Sequence, residues 1–155
     1  MQPKTETRPE QPYLAIRTKV KMEEISTKLP PLIPEIYGWL QKQNITPAGP
    51  VFFNYLDFEN GLLTAEVGVP VQAKQQGDNK VQAGSFPAGN YTVFTHMGHY
   101  NGIPQAHQEI ELWAKENGVK LQNPCLEFYP TDPETTPNPA DWQTDIVRGI
   151  SENRK

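Results

Sequence analysis

Three side chains that could do chemistry together alternate along one short segment: Cys125, Glu127 and Tyr129. Residues two apart in a β-strand share a face, so a strand here brings a thiol, a carboxylate and a phenol together. Glu127 stands between Leu126 and Phe128, so a charged group borders the core whichever face of the strand is buried. This segment is therefore the first candidate for a functional site.

Two interpretations of Glu127 are consistent with this pattern. In the first, it is an outward-facing residue of a half-solvated strand, which the pattern alone slightly favours. In the second, it is a partly desolvated carboxylate at the base of an aromatic pocket, which needs a cation because an unpaired buried charge is costly. An organic cation meets that need, and each well-placed tyrosine ring adds about 0.5–2 kcal/mol of cation–π attraction.

The other reactive residue types give weaker signals. His96 and His99 lie where a strand ends, and His107 lies on the following helix. No carboxylate stands at ligand spacing beside them, so surface and turn roles are favoured, and neither a metal nor a cofactor is predicted. Cys125 has the apolar neighbours of an inert buried thiol. The sequence also lacks a glycine-rich phosphate loop and the Gly-x-Ser-x-Gly motif of many serine hydrolases.

The elements that would position these residues alternate between strands and helices. Apolar–polar alternation predicts strands over 13–20, 51–58, 63–72, 85–97, 126–129 and 143–150. Helical spacing of apolar residues predicts helices over 29–43 and 103–117, with prolines in the first turn of each. Asn60 and Gly61 predict a hairpin turn, because both tolerate a positive φ. The prolines between 130 and 139 predict an ordered loop between the last two strands.

An internal repeat organises these elements. A shift of 74 residues superposes Glu35 on Glu109 and Trp39 on Trp113 and keeps the order of helix, turn and strand. We therefore predict an α+β fold of two strand–helix–strand–strand modules, about 13–73 and 85–150. Each module forms a three-stranded antiparallel sheet with one helix, and the two pair around a pseudo-twofold axis that leaves a cleft for a ligand.

The same shift shows where the repeat is asymmetric. It pairs Tyr55 with Tyr129, but it pairs Phe53 with Glu127. One module therefore carries a carboxylate where the other has a phenyl ring. This difference favours Glu127 as the residue that gives the cleft its chemistry.

Composition narrows the class of protein. The chain has 155 residues with a net charge of −4, so it is one ordinary domain without the basic surface that nucleic-acid binding needs. It contains no apolar run long enough for a membrane span and no signal-peptide pattern. One cysteine excludes an internal disulfide, and a reduced, cytoplasmic protein is predicted. Residues 1–12 are predicted to be a disordered polar leader and 151–155 a polar tail.

Several segments resemble a known family. They are GLLTAEVGVPV at 61–71, FPAGNYTVFTHMGHYNGIPQA at 86–106 and LEFYPTDPETTPNPADWQTDI at 126–146, with Gly49-Pro50 before an aromatic strand. Over about 13–150 the chain resembles the GyrI-like (gyrase-inhibitor-like) effector-binding domain. That domain also serves as the ligand domain of multidrug-responsive transcription regulators.

The resemblance implies the duplicated fold and a central pocket for lipophilic, often cationic, aromatic compounds. In relatives a Glu-x-Tyr strand motif supplies the pocket glutamate, and Glu127 and Tyr129 match that motif. The resemblance also implies that aromatic residues form the pocket wall, for which the candidates are Phe53, Tyr55, Tyr91, Phe94, Tyr100 and Trp142. Arg148 stands in a strand where relatives are more apolar, so the ligand preference of a relative does not transfer directly.

Three functions are consistent with the sequence. We favour a monomeric small-molecule binding protein that uses Glu127 to recognise charge. The first alternative is a hydrolase of ring-strained, cyclopropane-bearing genotoxic natural products, as in some relatives, with Glu127 as general base and Tyr129 as proton donor. The second alternative is a protein partner that modulates a separate regulator or gyrase. We expect no direct contact with DNA, since the leader is too short for a helix-turn-helix.

Overall fold

The structure is a computed structural model that describes residues 2–152. It is a mixed α+β structure with antiparallel strand pairing. The chain divides into two compact units. We call Pro9–Ala88 the first unit, and we call the residues before Pro9 together with those from Gly89 onward the second unit.

The first unit contains four strands. They are β2 (Gln11–Val20), β3 (Phe52–Glu59), β4 (Leu62–Pro70) and β5 (Gln82–Phe86), in the sheet order β3-β4-β2-β5. Between β2 and β3 the chain forms the short helix α1 (Ile25–Lys28) and the longer α2 (Leu32–Lys42). Helix α2 buries Ile36 and Leu40, which are one turn apart on one face.

The second unit has the same order of elements. Its strands are β1 (Lys4–Arg8), β6 (Gly89–Met97), β7 (Val119–Phe128) and β8 (Gln143–Glu152), in the sheet order β1-β6-β8-β7. Helix α3 (Ile103–Glu116) connects β6 to β7. Each unit therefore has the predicted strand–helix–strand–strand connection, with β2, β3 and β4 of the first unit corresponding to β6, β7 and β8 of the second.

The amino-terminal segment differs from its prediction. Residues 1–12 were expected to be disordered, but Lys4–Arg8 form β1, which pairs with β6, and β2 begins at Gln11. The segment KTETR has no apolar residue and is mostly exposed, so it lacks the alternating signal that identifies a strand. Strands at a sheet edge tolerate such charged sequences, because charge discourages pairing with other chains.

The strand prediction over 85–97 is also corrected. The chain forms two strands there, β5 and β6, which pair with β2 and β8 respectively. Pro87 lies between them, and proline cannot donate the hydrogen bond that a continuous strand requires. Together with β1, this break gives each unit a four-stranded sheet instead of the predicted three-stranded one.

Other predicted elements are confirmed with changed bounds. The first predicted helix begins at Leu32 instead of residue 29, directly after Pro30 and Pro31. Asn60 and Gly61 adopt φ values of 57° and 79° in the turn between β3 and β4. Strand β7 begins seven residues before the predicted start at 126, and β8 extends to Glu152. The polar tail was predicted over 151–155, but its first two residues belong to β8, and 153–155 lie outside the described residues.

None of the helices within residues 2–152 has the length and apolar content needed to cross a membrane.

Candidate functional site

Glu127 is buried in strand β7 of the second unit. Its residue exposure is 5%. A register shift between Gln122 and Cys125 interrupts the pairing of β7 with β8, and after it Glu127 lies opposite Ile146. Irregularities of this kind re-aim the side chains that follow them. The interpretation of Glu127 as an outward-facing, solvated residue is therefore wrong.

Two side chains hydrogen-bond to the two oxygens of this carboxylate. The Tyr129 hydroxyl donates to Oε1. The Nε2 atom of His107 lies 2.7 Å from Oε2. A carboxylate only accepts hydrogen bonds, so this imidazole nitrogen carries the proton that is shared with Glu127. The arrangement gives each oxygen of this buried acid a hydrogen-bond donor.

Helix α3 positions His107. The helix buries Ile103, Ala106, Ile110 and Ala114, which follow the three- and four-residue spacing of one helical face. His107 is four residues after Ile103 and so lies on the same side of the helix. Its side chain is 19% exposed, compared with 6% for that of Glu127. The histidine therefore contacts the carboxylate at the border of the core.

Aromatic rings continue the site beyond Tyr129. The rings of Tyr129 and Tyr100 meet edge to face with centroids 5.7 Å apart. Tyr100 stacks on Trp142 with centroids 4.8 Å apart and an interplanar angle of 29°. The ring of His99 lies 5.3 Å from that of Trp142. We call Tyr100, Tyr129 and Trp142 the aromatic cluster.

Phe94 joins the aromatic cluster to the core of the second unit. It is 7% exposed and packs with Ile103, Ile110 and other apolar residues, against which Tyr100 and Tyr129 are packed. Burial raises the pKa of the Tyr100 hydroxyl, and the nearby carboxylate of Asp132 raises it further. Tyr100 therefore remains a neutral hydrogen-bond donor at physiological pH.

The proline-rich loop holds Trp142 in place. The indole N–H donates to the Thr136 carbonyl at 2.6 Å, and the Trp142 carbonyl accepts from the Gly98 N–H at 2.8 Å. Within the loop, the Asp132 carbonyl accepts from the N–H groups of Thr135 and Thr136. The predicted ordered connection is confirmed. Trp142 was a candidate for the pocket wall. Its contacts anchor the loop and its ring stacks on Tyr100, and a place in a pocket wall stays a prediction.

Cys125 on β7 and Arg148 on β8 lie opposite each other. Burial raises the pKa of the Cys125 thiol to about 11, with Glu127 and Glu111 adding to the rise and Arg148 opposing it. The thiol therefore stays protonated at neutral pH, as an inert cysteine should. Arg148 places Nη1 3.5 Å from Glu111 of α3. Its buried Nε has no hydrogen-bond partner within residues 2–152.

The structure does not bring every predicted wall residue to this cluster. Tyr91 lies on β6 three residues before Phe94, so the two point to opposite faces of the strand. Phe53 and Tyr55 lie on β3 of the first unit, the former buried and the latter half-buried. Their contribution to a ligand site stays a prediction.

The sequence placed His107 on the helix after His96 and His99 but did not predict its contact with Glu127. The available signal was a titratable residue, His107, on the face of α3 that carries the buried apolar residues. The turn role expected for His99 is confirmed, because its Nδ1 accepts from the Asn101 N–H. His96 contacts the His99 carbonyl through Nε2 at 3.0 Å. Within residues 2–152, no group of three or more histidine, cysteine or acidic side chains is placed to hold a metal ion.

A second buried glutamate was also missed. Glu66 on β4 is 2% exposed. It accepts from the Tyr13 hydroxyl at 2.7 Å, from Asn54 Nδ2 at 3.1 Å and from Arg17 Nη2 at 3.0 Å. Tyr13 in turn stacks on Phe86, with centroids 4.3 Å apart. The signal was the same as for Glu127, namely an acidic residue within an apolar run.

Comparisons with solved structures give the same fold. The crystal structure of the EcmrR C-terminal domain superposes with a TM-score of 0.85 at 21% identity and covers 98% of each chain. SAV2435 bound to tetraphenylphosphonium gives 0.74 at 12% identity, covering 97% of this chain and 94% of its own. A hydrolase from Listeria innocua gives 0.62 at 13% identity, covering 97% and 92%. These identities establish the fold alone.

The length of the relatives varies. The chain spans 58% of the EcmrR chain in its complex with DNA, where identity is 21% and the TM-score 0.84. No curated protein sequence matches the chain significantly. The family comparison is decisive, because its match covers residues 1–149. With its duplicated strand–helix–strand–strand units and this match over nearly its whole length, the chain belongs to the GyrI-like small molecule binding domain family.

Proposed function

We propose that this domain binds lipophilic aromatic cations and that Glu127 recognises their charge. The observation that supports the proposal is a carboxylate of 5% exposure hydrogen-bonded to Tyr129, whose ring meets the stacked pair Tyr100 and Trp142. A buried negative charge next to several π faces favours a cation with an apolar, aromatic body. Neither a neutral nor an anionic ligand of the same shape gains both interactions.

The energies are sufficient for selectivity. Two unit charges 4 Å apart attract by about 4 kcal/mol at an effective dielectric constant near 20. A cation over an aromatic ring gains about 0.5–2 kcal/mol more. The carboxylate accepts hydrogen bonds from Tyr129 and His107, and its charge attracts a cation through space without a direct hydrogen bond. A cation with no N–H groups gains the Coulomb attraction all the same.

The structural neighbours support this choice of ligand class. SAV2435, which has the same fold, is bound to tetraphenylphosphonium, a delocalised cation with four phenyl rings. The family itself is one of small-molecule binding domains. The likeness to EcmrR, whose structure with DNA is known, adds the proposal that a DNA-binding regulator responds to the bound ligand.

The test compares ligands of one shape and opposite charge. Tetraphenylphosphonium should raise the melting temperature of the wild type and quench its tryptophan fluorescence, and tetraphenylborate should do neither. Replacing Glu127→Gln keeps the size of the side chain and removes its charge, so affinity for the cation should fall about 10- to 100-fold, as expected for loss of a charged partner worth about 1.5–3 kcal/mol.

A nearby variant controls for general electrostatics. Glu111→Gln removes an exposed carboxylate on α3, which is 62% exposed and outside the aromatic cluster. It should change the affinity less than about threefold, because solvent screens an exposed charge. Equal affinities of the wild type and Glu127→Gln would contradict the proposal, as would equal binding of the cation and the anion.

Hydrolysis is the second candidate, and the contacts of Glu127 favour it over other enzymatic roles. A carboxylate held by His107 and Tyr129 is oriented as a general base should be. In a strained cyclopropane, water oxygen would bond to a ring carbon as the strained C–C bond breaks. Glu127 would accept the water proton, and Tyr129 would supply a proton to the second carbon of the broken bond, which keeps the electron pair. Transfer of the proton from Glu127 to the Tyr129 oxygen would then restore both side chains.

A mass measurement separates turnover from binding. Hydrolysis adds one water to the substrate, so incubation of a cyclopropane-bearing alkylator with the protein should give that product faster than buffer alone. Glu127→Gln should abolish the acceleration. If the substrate mass is unchanged while tetraphenylphosphonium still binds, the domain binds without turnover.

A further inference from the structure

We propose that His107 determines which ligand charge the Glu127 site accepts, an inference that rests on the proposed function. The 2.7 Å contact between Nε2 and Oε2 makes the imidazole part of the charged group that meets the ligand. The two side chains are 19% and 6% exposed, so water screens this pair weakly. A change in the charge of His107 therefore changes the electrostatic energy of a ligand beside Glu127 with little screening by water.

The two protonation states of His107 give the site two different charges. With a neutral imidazole, Glu127 and His107 together carry one negative charge, and the site suits a monocation. With a protonated imidazole, the pair is neutral, and a second cation meets repulsion from the imidazolium. The protonated state therefore suits a neutral aromatic ligand instead.

Other titratable and charged groups lie around Cys125 and Glu127. Tyr129 donates to the Glu127 carboxylate from the residue after β7, and burial raises the pKa of the Cys125 thiol on β7 to about 11. Arg148 on β8 lies opposite Cys125, contacts Glu111 and is permanently charged. Glu111 lies one helical turn after the histidine on α3 and is largely exposed. Histidine is the side-chain type whose charge ordinarily changes between pH 5 and 8, where carboxyl groups are ordinarily ionised.

A titration of binding against pH tests the inference. Tetraphenylphosphonium has a fixed charge, so any pH dependence of its affinity belongs to the protein. Its dissociation constant with the wild type should rise roughly tenfold between pH 8 and pH 5, the size expected for repulsion between unit charges several ångströms apart. Neutral triphenylphosphine oxide should show no such loss.

Two variants assign the effect. His107→Gln keeps an N–H donor for Glu127 but takes no charge, so its affinity for tetraphenylphosphonium, whatever its value at pH 8, should stay flat down to pH 5. Glu111→Gln should keep the wild-type profile. In calorimetry near pH 6.5, the cation should release protons from the wild type and none from His107→Gln, a linkage that a merely structural histidine does not produce.

The outcomes separate this inference from the proposed function. If the wild type fails to bind the cation at any pH, the proposed function fails. If the wild type binds and His107→Gln loses affinity at low pH to the same extent, the pH dependence belongs to another group and the role of His107 is wrong. Circular dichroism of each variant at pH 5 and 8 establishes that the compared proteins are folded.

Discussion

Glu66 and Glu127 are both buried, one in each unit, but their partners differ. Glu66 contacts the permanently charged guanidinium of Arg17 and accepts further hydrogen bonds from Tyr13 and Asn54. Glu127 contacts an imidazole and one phenol, and that phenol leads to stacked aromatic rings. Two units with the same order of elements thus place a buried acid in two different chemical settings.

The comparison shows how burial serves two purposes. A guanidinium keeps its charge at every physiological pH, so Glu66 is compensated inside the unit and acts to hold β2, β3 and β4 together. An imidazole compensates Glu127 only when protonated. The first acid is therefore structural, and the function proposed above assigns the second to an external cation.

The largest effect separates the two acids by stability. Glu66→Gln puts an amide where Arg17, Tyr13 and Asn54 meet a carboxylate, and it should lower the free energy of unfolding by about 2–3 kcal/mol. Glu127→Gln should lower it by about 1 kcal/mol or less, because neither Tyr129 nor His107 is a permanently charged partner as Arg17 is. Urea denaturation followed by circular dichroism measures both. Equal losses of unfolding free energy in the two variants would contradict the different roles assigned to Glu66 and Glu127.

The two tyrosines that donate to these acids sharpen the contrast. Tyr13→Phe should cost about 1–2 kcal/mol, because it removes a buried hydrogen bond to a charged group. Tyr129→Phe should change ligand affinity more than stability. Matched urea titrations and tetraphenylphosphonium titrations of the two variants measure this. A larger stability loss for Tyr129→Phe than for Tyr13→Phe would contradict the structural role given to Tyr13 and the ligand-binding role given to Tyr129.

Alkaline pH gives a second test of Tyr13. Burial raises the pKa of its hydroxyl well above the usual value, and its hydrogen bond to Glu66 raises it further. A raised pKa means that the folded state holds the proton more tightly, so this stabilisation is present below about pH 10 and is lost as the pH rises beyond it. Between pH 9 and 11 the wild type should lose more stability than Tyr13→Phe. Parallel curves of unfolding free energy against pH for the wild type and Tyr13→Phe would contradict this prediction.

The reactivity of Cys125 reports on the charge of the Glu127 site. With a pKa of about 11, the thiol should be alkylated by iodoacetamide at pH 8 about 100-fold more slowly than a free thiol. Glu127 is among the groups that raise this pKa, so Glu127→Gln should speed alkylation a few-fold. Glu66→Gln should not change the rate in protein that remains folded. Mass spectrometry of time points measures all three.

The smallest effect concerns Arg148. Its Nη1 atom lies 3.5 Å from a Glu111 side chain that is 62% exposed, so Glu111→Gln should change the free energy of unfolding by no more than about 0.5 kcal/mol. Denaturation curves of this variant and the wild type should nearly coincide. A loss above 1 kcal/mol would show that the Arg148 contact stabilises the second unit.

Elements with a buried face were predictable from the sequence. The helix around Ile110 and the turn at Asn60 follow from apolar spacing and from residues that tolerate a positive φ. The edge strand β1 was not predictable from the sequence. Lys4–Arg8 are mostly exposed and so carry no alternation of apolar and polar residues. The separation of β5 from β6 required knowing that the two strands pair with different neighbours.

The candidate site was predictable in part. Glu127 and Tyr129 were found together because strand alternation is local, and the family resemblance added Tyr100 and Trp142. His107 is 20 residues before Glu127, and the register of a helix over a sheet, which brings them to 2.7 Å, is a tertiary property. Glu66 was missed for the same reason, since Arg17 and Asn54 reach it from two other strands.

A crystal structure with a brominated tetraphenylphosphonium tests the central claim most directly, because bromine is located by its anomalous scattering. The account predicts the phosphonium within about 6 Å of the Glu127 carboxylate, the range over which an opposite charge and aromatic faces act. It also predicts a phenyl ring against Tyr100 or Trp142. A fully occupied ligand elsewhere in the molecule, with Glu127 still bound only by the protein's own side chains, would contradict the account.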